Sequence, residues 1–221
     1  MTAEAMTTTR RRPAYVAAKR VFDIVAASAG LIVLSPLLLV IAVLIALDSR
    51  GPVLFRQKRI GLHGGEFTML KFRTMYVNSD EAHHREMVRR TAMGEKTTLA
   101  DGRQVYKPPN DPRVTRVGRW LRASCADELP QLINVIRGDM SLVGPRPALS
   151  YELPFYKEWH YARFELVPGI TGLWQVTRDA GVSFDDMMRL DIEYGGKATV
   201  LSDLLLVLRT LPAVVRQRGV F

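Results

Sequence analysis

The 221-residue chain carries a formal net charge of +9, and 48% of its residues are hydrophobic, ordinary for a globular domain with a core. The basic balance points to an anionic partner: nucleic acid, anionic lipid or a phosphate-rich substrate. The single cysteine, Cys125, excludes an internal disulfide and reads as a small apolar residue. Internal repeats, low-complexity tracts, zinc-type Cys/His spacing and a P-loop are all absent from the sequence.

Val21 to Leu47 is almost wholly apolar, with Asp23 its one charge. As one straight helix it would extend ~40 Å, beyond the ~30 Å hydrocarbon core of a bilayer. A cleaved signal peptide is not expected, because the run is long and no small-residue cleavage site closes it before Asp48. A buried core helix, a spanning helix and a re-entrant helix remain. A core helix should show a polar face, which Leu31–Leu34 and Leu37–Leu47 lack. Pro36, preceded by Ser35, removes a helix hydrogen bond and predicts a kink or break. Arg10, Arg11, Arg12, Lys19 and Arg20 precede the run, and Arg50, Arg56, Lys58 and Arg59 follow it. Positive charge marks the cytoplasmic side of a membrane segment. Basic clusters on both flanks favour a helix that enters, bends at Ser35–Pro36 and leaves by the same face.

Val53–Gln57 and Phe67–Arg73, separated by Gly61 and Gly64–Gly65, predict a β-hairpin with a long loop. Asp80 to Arg90 is polar and helix-permissive. Thr91 to Pro109 reads as a mobile loop over a site or a disordered linker. Arg113, Arg116, Arg119 and Arg122 recur every three residues, giving a solvated basic face or an anion site. From Ser124 to Gln131 the sequence predicts a helix start, capped by Ser124 or Asp127, with Pro130 in the first turn and Gly138 as the stop. Asp127 and Glu128 then sit at a helix N-terminus, which favours ionised carboxylates or a phosphate. Gly144-Pro145-Arg146-Pro147 presents a guanidinium on a stiff backbone, suited to phosphate. Pro168–Gly172 predicts a second stiff turn, with Trp174 and Gln175 beyond. Leu204–Val215, interrupted by Pro212, either lies on a membrane surface or completes the core.

These pieces stand in a specific order: Lys19-Arg20-x-Phe22-Asp23, Ser35-Pro36, Gly51-Pro52 with Phe55-x-Gln57, Lys71–Met75, Asp111-Pro112-Arg113, Asp127–Gln131, Gly138–Pro147 and Pro168–Val176. In that order and spacing the chain resembles the monotopic phosphoglycosyl transferases, bacterial sugar transferases that begin exopolysaccharide and glycan assembly. The resemblance runs from about Lys19 to the C-terminus. It departs at Cys125-Ala126, where the family has a Ser-Leu pair, and at Thr177-Arg178-Asp179, which shifts an arginine.

The resemblance implies an α+β, mostly helical fold. Its parts are a basic tail (1–18), a re-entrant membrane helix (19–50) and a cytoplasmic catalytic domain with a small β-hairpin (51–221), whose mobile loop covers about 91–109. It implies transfer of a hexose-1-phosphate from a UDP-sugar to undecaprenyl phosphate at the bacterial inner membrane, on its cytoplasmic face. An aspartyl-phosphosugar intermediate and Mg²⁺ are expected. Asp127 matches the nucleophile, and Glu128 the adjacent acid, as metal ligand or base. Arg146 is expected to grip phosphate, with Lys71, Arg73, Arg113, Pro145, Gln175 and Asp191 as further substrate contacts. A basic nucleic-acid-binding protein fits the charge, but the uncharged stretch and the acidic pair oppose it, so no nucleic acid is expected. An inactive membrane scaffold of the same fold is the other alternative. A homo-oligomer and other polysaccharide-assembly enzymes are candidate protein partners.

Overall fold

The computed structural model describes residues 13–77, 79, 82–93, 95, 97–98, 104–105, 111–177 and 183–216. Residues 1–12 of the expected basic tail, most of the 91–109 loop and Arg178 lie outside these residues, and residues 13–18 of the expected tail are helical.

The apolar run forms one helix, α1 (Pro13–Asp48), starting before the predicted boundary and running without interruption through Ser35–Pro36. The Ser35 hydroxyl donates to the Ile32 carbonyl at 2.8 Å, which gives one carbonyl a partner in the turn that proline disturbs. The helix is long and apolar enough to cross a membrane. Only one narrow face is buried, marked by Asp23, Ala27, Ile41 and Ile45. The rest, including Ile32, Val33, Leu39 and Leu47, stays exposed.

Both halves of α1 are tied to the same domain. Near its start, the Arg20 guanidinium donates to the Val135 and Ile136 carbonyls, and the Asp23 carboxylate accepts from the Leu142 amide. At its end, the Asp48 carboxylate accepts from the Val117 amide. The lone charge of the apolar run is therefore turned inward and hydrogen-bonded, as a buried carboxylate requires.

The hairpin is antiparallel and longer than predicted at its first strand: β1 (Leu54–Ile60) pairs with β2 (Glu66–Phe72), from Leu54 opposite Phe72 to Ile60 opposite Glu66. A short helix, α2 (Ala82–Ala92), and a two-residue pairing of β3 (Thr97–Thr98) with β4 (Gln104–Val105) follow. Helix α3 (Arg116–Ser124) is capped by Thr115, whose hydroxyl accepts from the Gly118 amide. It packs so closely that a Cβ on Gly118 would lie 2.1 Å from the Thr74 carbonyl oxygen. Helix α4 (Gln131–Arg137) ends at Gly138, in the left-handed conformation as predicted.

The second stiff turn is instead a strand. β5 (Ser141–Val143) and β6 (Gly169–Thr171) pair in parallel. A Cβ on Gly169 would stand 2.1 Å from the Gly144 nitrogen, so only glycine lets the backbones meet. A four-residue turn, α5 (Leu173–Val176), leads to α6 (Phe184–Lys197) and α7 (Val200–Arg216). Helix α7 buries Asp203 and Leu206 and exposes Leu201, Leu204, Leu205 and Leu208. The whole is mostly helical, with three two-stranded sheets among the described residues.

Candidate active site

Helix α3 does not run into the acid pair. Cys125 adopts φ 55°, a left-handed cap that stops α3. Asp127 and Glu128 follow on a single 3₁₀ turn, Ala126–Glu128. The predicted caps are therefore corrected. The Ser124 hydroxyl bonds back to the Trp120 carbonyl, and α4 begins only at Gln131 without a side-chain cap. With seven residues and a start beyond the pair, α4 contributes little dipole to Asp127.

The pair is held by a lysine. Lys71 Nζ lies 2.6 Å from Glu128 Oε1 and 4.0 Å from Asp127 Oδ2. The buried Asn134 side chain fixes this geometry. Its Oδ1 accepts from the Leu70 amide, and its Nδ2 donates to the Thr68 carbonyl, binding α4 along β2. Strand β2 thereby delivers Lys71 to the turn that carries the acids.

Arg146 stands on the segment after β5. Two buried arginines hold its backbone: Arg163 donates to the Arg146 carbonyl at 2.6 Å, and Arg59 to the Pro147 carbonyl at 3.0 Å. The Pro145 carbonyl accepts from the Gly169 amide at 2.8 Å. The Arg146 guanidinium itself makes no hydrogen bond or ion pair among the described residues. It is presented rather than tied down, as an anion-binding group should be.

The remaining expected substrate contacts divide. Lys71 reaches the acid pair, as above. Arg73 does not: its guanidinium is buried and donates to the Ile45 and Ser49 carbonyls, the Ser49 hydroxyl and the Pro52 carbonyl. It closes the C-terminal end of α1, where free carbonyls need donors. Arg113 forms a two-point pair with Asp111, at 2.9 and 2.6 Å, which holds the Asp111 carboxyl down at about 2. Gln175 Nε2 donates to the Ile170 carbonyl at 3.3 Å. Asp191 is 1% exposed and pairs with Arg163 at 2.6 Å. Burial pushes its carboxyl up to about 6, against the pull of Arg163 and Arg146. Asp191 therefore lies buried against Arg163, which in turn donates to the Arg146 carbonyl.

Sequence reasoning ranked Arg59 only as flanking charge and passed over Arg163. Both lie near Arg146 by folding rather than by sequence spacing; the Phe55-x-Gln57 motif beside Arg59 was the only local signal. A separate groove of about 900 Å³, lined by Tyr15, Lys19, Met140, Tyr194 and Val200 among others, does not include the acid pair.

An acid pair gripped by one lysine is suited to group transfer on anionic substrates. The chain belongs to the bacterial sugar transferase family, whose model matches residues 14–217. It is 44% identical over 206 residues to a UDP-glucose:undecaprenyl-phosphate glucose-1-phosphate transferase of Caulobacter vibrioides, covering 89% of this chain and 69% of that one. It is 40% identical over 208 residues to the exopolysaccharide production protein ExoY of Rhizobium meliloti, covering 94% and 90%. It is 38% identical over 203 residues to an undecaprenyl-phosphate galactose phosphotransferase of Salmonella typhimurium, covering 92% of this chain and 41% of that longer protein.

Proposed function

We propose that the protein transfers a hexose-1-phosphate from a UDP-sugar to undecaprenyl phosphate, releasing UMP, in exopolysaccharide or related glycan assembly. The juxtaposition of Asp127, Glu128 and Lys71 carries this reading, and the activities for which the relatives are named support it.

In the proposed mechanism an Asp127 carboxylate oxygen attacks the phosphorus bonded to the sugar. The bond from that phosphorus to the oxygen bridging the two phosphates breaks, and UMP leaves with the electron pair. A phosphate oxygen of the lipid then attacks the same phosphorus and expels the Asp127 carboxylate. Each step exchanges one P–O bond for another, so positioning and charge neutralisation carry the catalysis. Lys71 offsets the mutual repulsion of the acids, and Arg146 binds a phosphate oxygen pair.

Among the described residues no three or more His, Cys, Asp or Glu side chains converge. Mg²⁺ sites that are completed by substrate phosphates need only one or two carboxylates, so Glu128, beside Asp127, fits such an ion. When bound there, Mg²⁺ would neutralise diphosphate charge.

Anchoring of both ends of α1 to one domain supports a helix that dips into the cytoplasmic leaflet and returns, with the domain on the cytoplasmic face. A straight span would carry one end ~30 Å away, across the bilayer.

The test is mass spectrometry of the purified protein mixed with UDP-sugars alone. A mass increase of one phosphosugar, absent in Asp127→Asn, is expected together with UMP release. An Asp127→Asn enzyme of wild-type rate would refute the assignment, and no UMP release from any sugar would leave an inactive scaffold.

A further inference from the structure

Arg59 is a buried cation with neutral partners. Its side chain is 4% exposed. Its Nε and Nη2 both donate to Gln57 Oε1, at 3.1 and 2.7 Å, and its Nη1 donates to the Pro147 carbonyl. Among the described residues it forms no ion pair. Arg163, by contrast, is buried against Asp191, and the buried Arg73 is taken up by the free carbonyls at the end of α1. Burying a guanidinium without a counter-charge is costly, and Arg59, unlike Arg73, closes no helix end; a substrate anion would offset that cost.

Its place in the hairpin gives the direction. Gln57 pairs with Met69, Arg59 with Phe67, and Lys71 with Phe55. Directly paired and alternate residues share a sheet face, so Gln57, Arg59 and Lys71 project from the same one. Arg59 stands about 13 Å along that face from Lys71, by strand rise. At the end of β1, Ile60 bridges to Ala148, which seats Arg59 against the Arg146–Pro147 segment. Arg146 and Glu128 both lie within electrostatic reach. Burial first, and the neighbouring Arg146 second, pull the Arg59 guanidinium down to about 10, while Glu152, Tyr151 and Glu128 oppose. The nearby carboxylates are otherwise engaged: Glu128 by Lys71, and Glu152 by the Leu149 amide.

We propose that Arg59 is a second cation of the diphosphate-binding site, acting beside Arg146, and that Gln57 is a positioning residue whose neutrality keeps the Arg59 charge available to substrate. This rests on the sugar-phosphate transfer reading above.

Gln57→Glu separates charge from structure. The carboxylate keeps the two-point bracket on Arg59 but cancels its charge. The thermal midpoint in detergent should hold or rise, while affinity for UDP falls about tenfold, the order expected for one unit charge about 10 Å away at an effective dielectric of about 20. KM for the UDP-sugar should rise in step. Arg59→Gln should show the same loss of UDP affinity, and Arg59→Lys should recover part of it. Wild-type UDP affinity in Gln57→Glu, or in Arg59→Gln if the first variant does not fold, overturns the proposal. Wild-type protein that neither binds UDP nor releases UMP sinks the transfer reading itself. An active wild type with an unchanged Gln57→Glu enzyme sinks only the role of Arg59.

Discussion

Lys71 Nζ lies 2.6 Å from the Glu128 carboxylate and 4.0 Å from that of Asp127. Adjacent carboxylates repel each other, and in the proposed reaction both face an anionic diphosphate, so the lysine would supply charge where that reaction most lacks it. Replacing it with methionine keeps the aliphatic stem. We expect Lys71→Met to fold normally and to lower the rate of UMP release about 10²–10³-fold, the loss typical for one preorganised charge-stabilising group. A rate within threefold of wild type would show that the lysine only shapes the turn. The acid pair itself was legible, because Asp127-Glu128-Leu129-Pro130-Gln131 is local in sequence. Its electrostatic setting was not. The expected helix dipole is replaced by a lysine 57 residues away in sequence, brought in by Asn134 and the register of β2. Arg73 shows the reverse error: two residues from Lys71 but past the end of β2, it gives its guanidinium to the end of α1.

The elements read most clearly were those with a local signature: the apolar helix, the glycine-punctuated hairpin and the Gly138 stop. The parallel pairing of β5 with β6 was hidden, because each strand has three residues and they are 28 residues apart. Pro168 and Gly169 looked like a turn for the same reason that they permit the pairing: a glycine backbone can approach closely. The route of α1 relative to a bilayer can be measured. Ala17→Cys and Arg50→Cys, each in a Cys125→Ser background, place one thiol at each flank. In sealed right-side-out vesicles both should resist an impermeant maleimide until the membrane is opened. Labelling of one flank alone before opening would establish a straight span.

Another element has a built-in pH limit. The His160 side chain is fully buried between the aromatic rings of Tyr156, Trp159 and Phe184. Its Nδ1 accepts from the Lys157 amide, which leaves the proton on Nε2, 3.2 Å from Asp185 Oδ1 at the start of α6. Burial holds the imidazole below its usual range, although Asp185 opposes; Lys157 and Arg163 add to the lowering. The unfolded chain therefore takes up this proton more readily than the folded one. The contribution to stability is complete above about 6.5 and declines as pH falls below it. Asp185 and Asp111 are held low by Lys157 and Arg113, so their contributions are lost only below about 4. The thermal midpoint should fall between about pH 6.5 and 5 in wild type and much less in His160→Gln. Identical profiles in the two proteins would place the acid sensitivity elsewhere.

At the scale of the molecule, the apolar helix and the site are joined through one buried carboxylate. Asp203, with no exposed surface, accepts from Lys19 at 2.7 Å and Tyr15 at 3.0 Å on α1, and from Tyr194 at 2.7 Å on α6. Helix α6 also carries Asp191, which holds Arg163, which holds the Arg146 carbonyl. These contacts, joined through α6, link the apolar helix to the arginine proposed to meet the phosphate. Asp203→Ala leaves Lys19 and both tyrosines without this partner. Removing one member of a buried ion pair costs about 3–5 kcal/mol, or roughly 6–20 °C in thermal midpoint for a domain of this size. If α1 and the site are mechanically linked, kcat should also fall at temperatures well below the transition. Asp203→Asn, which keeps acceptor and shape but not charge, should lie between the two. A lowered midpoint with wild-type kcat in Asp203→Ala would mean that Arg146 is seated by the domain alone, and that the apolar helix serves only to bring the site to its lipid.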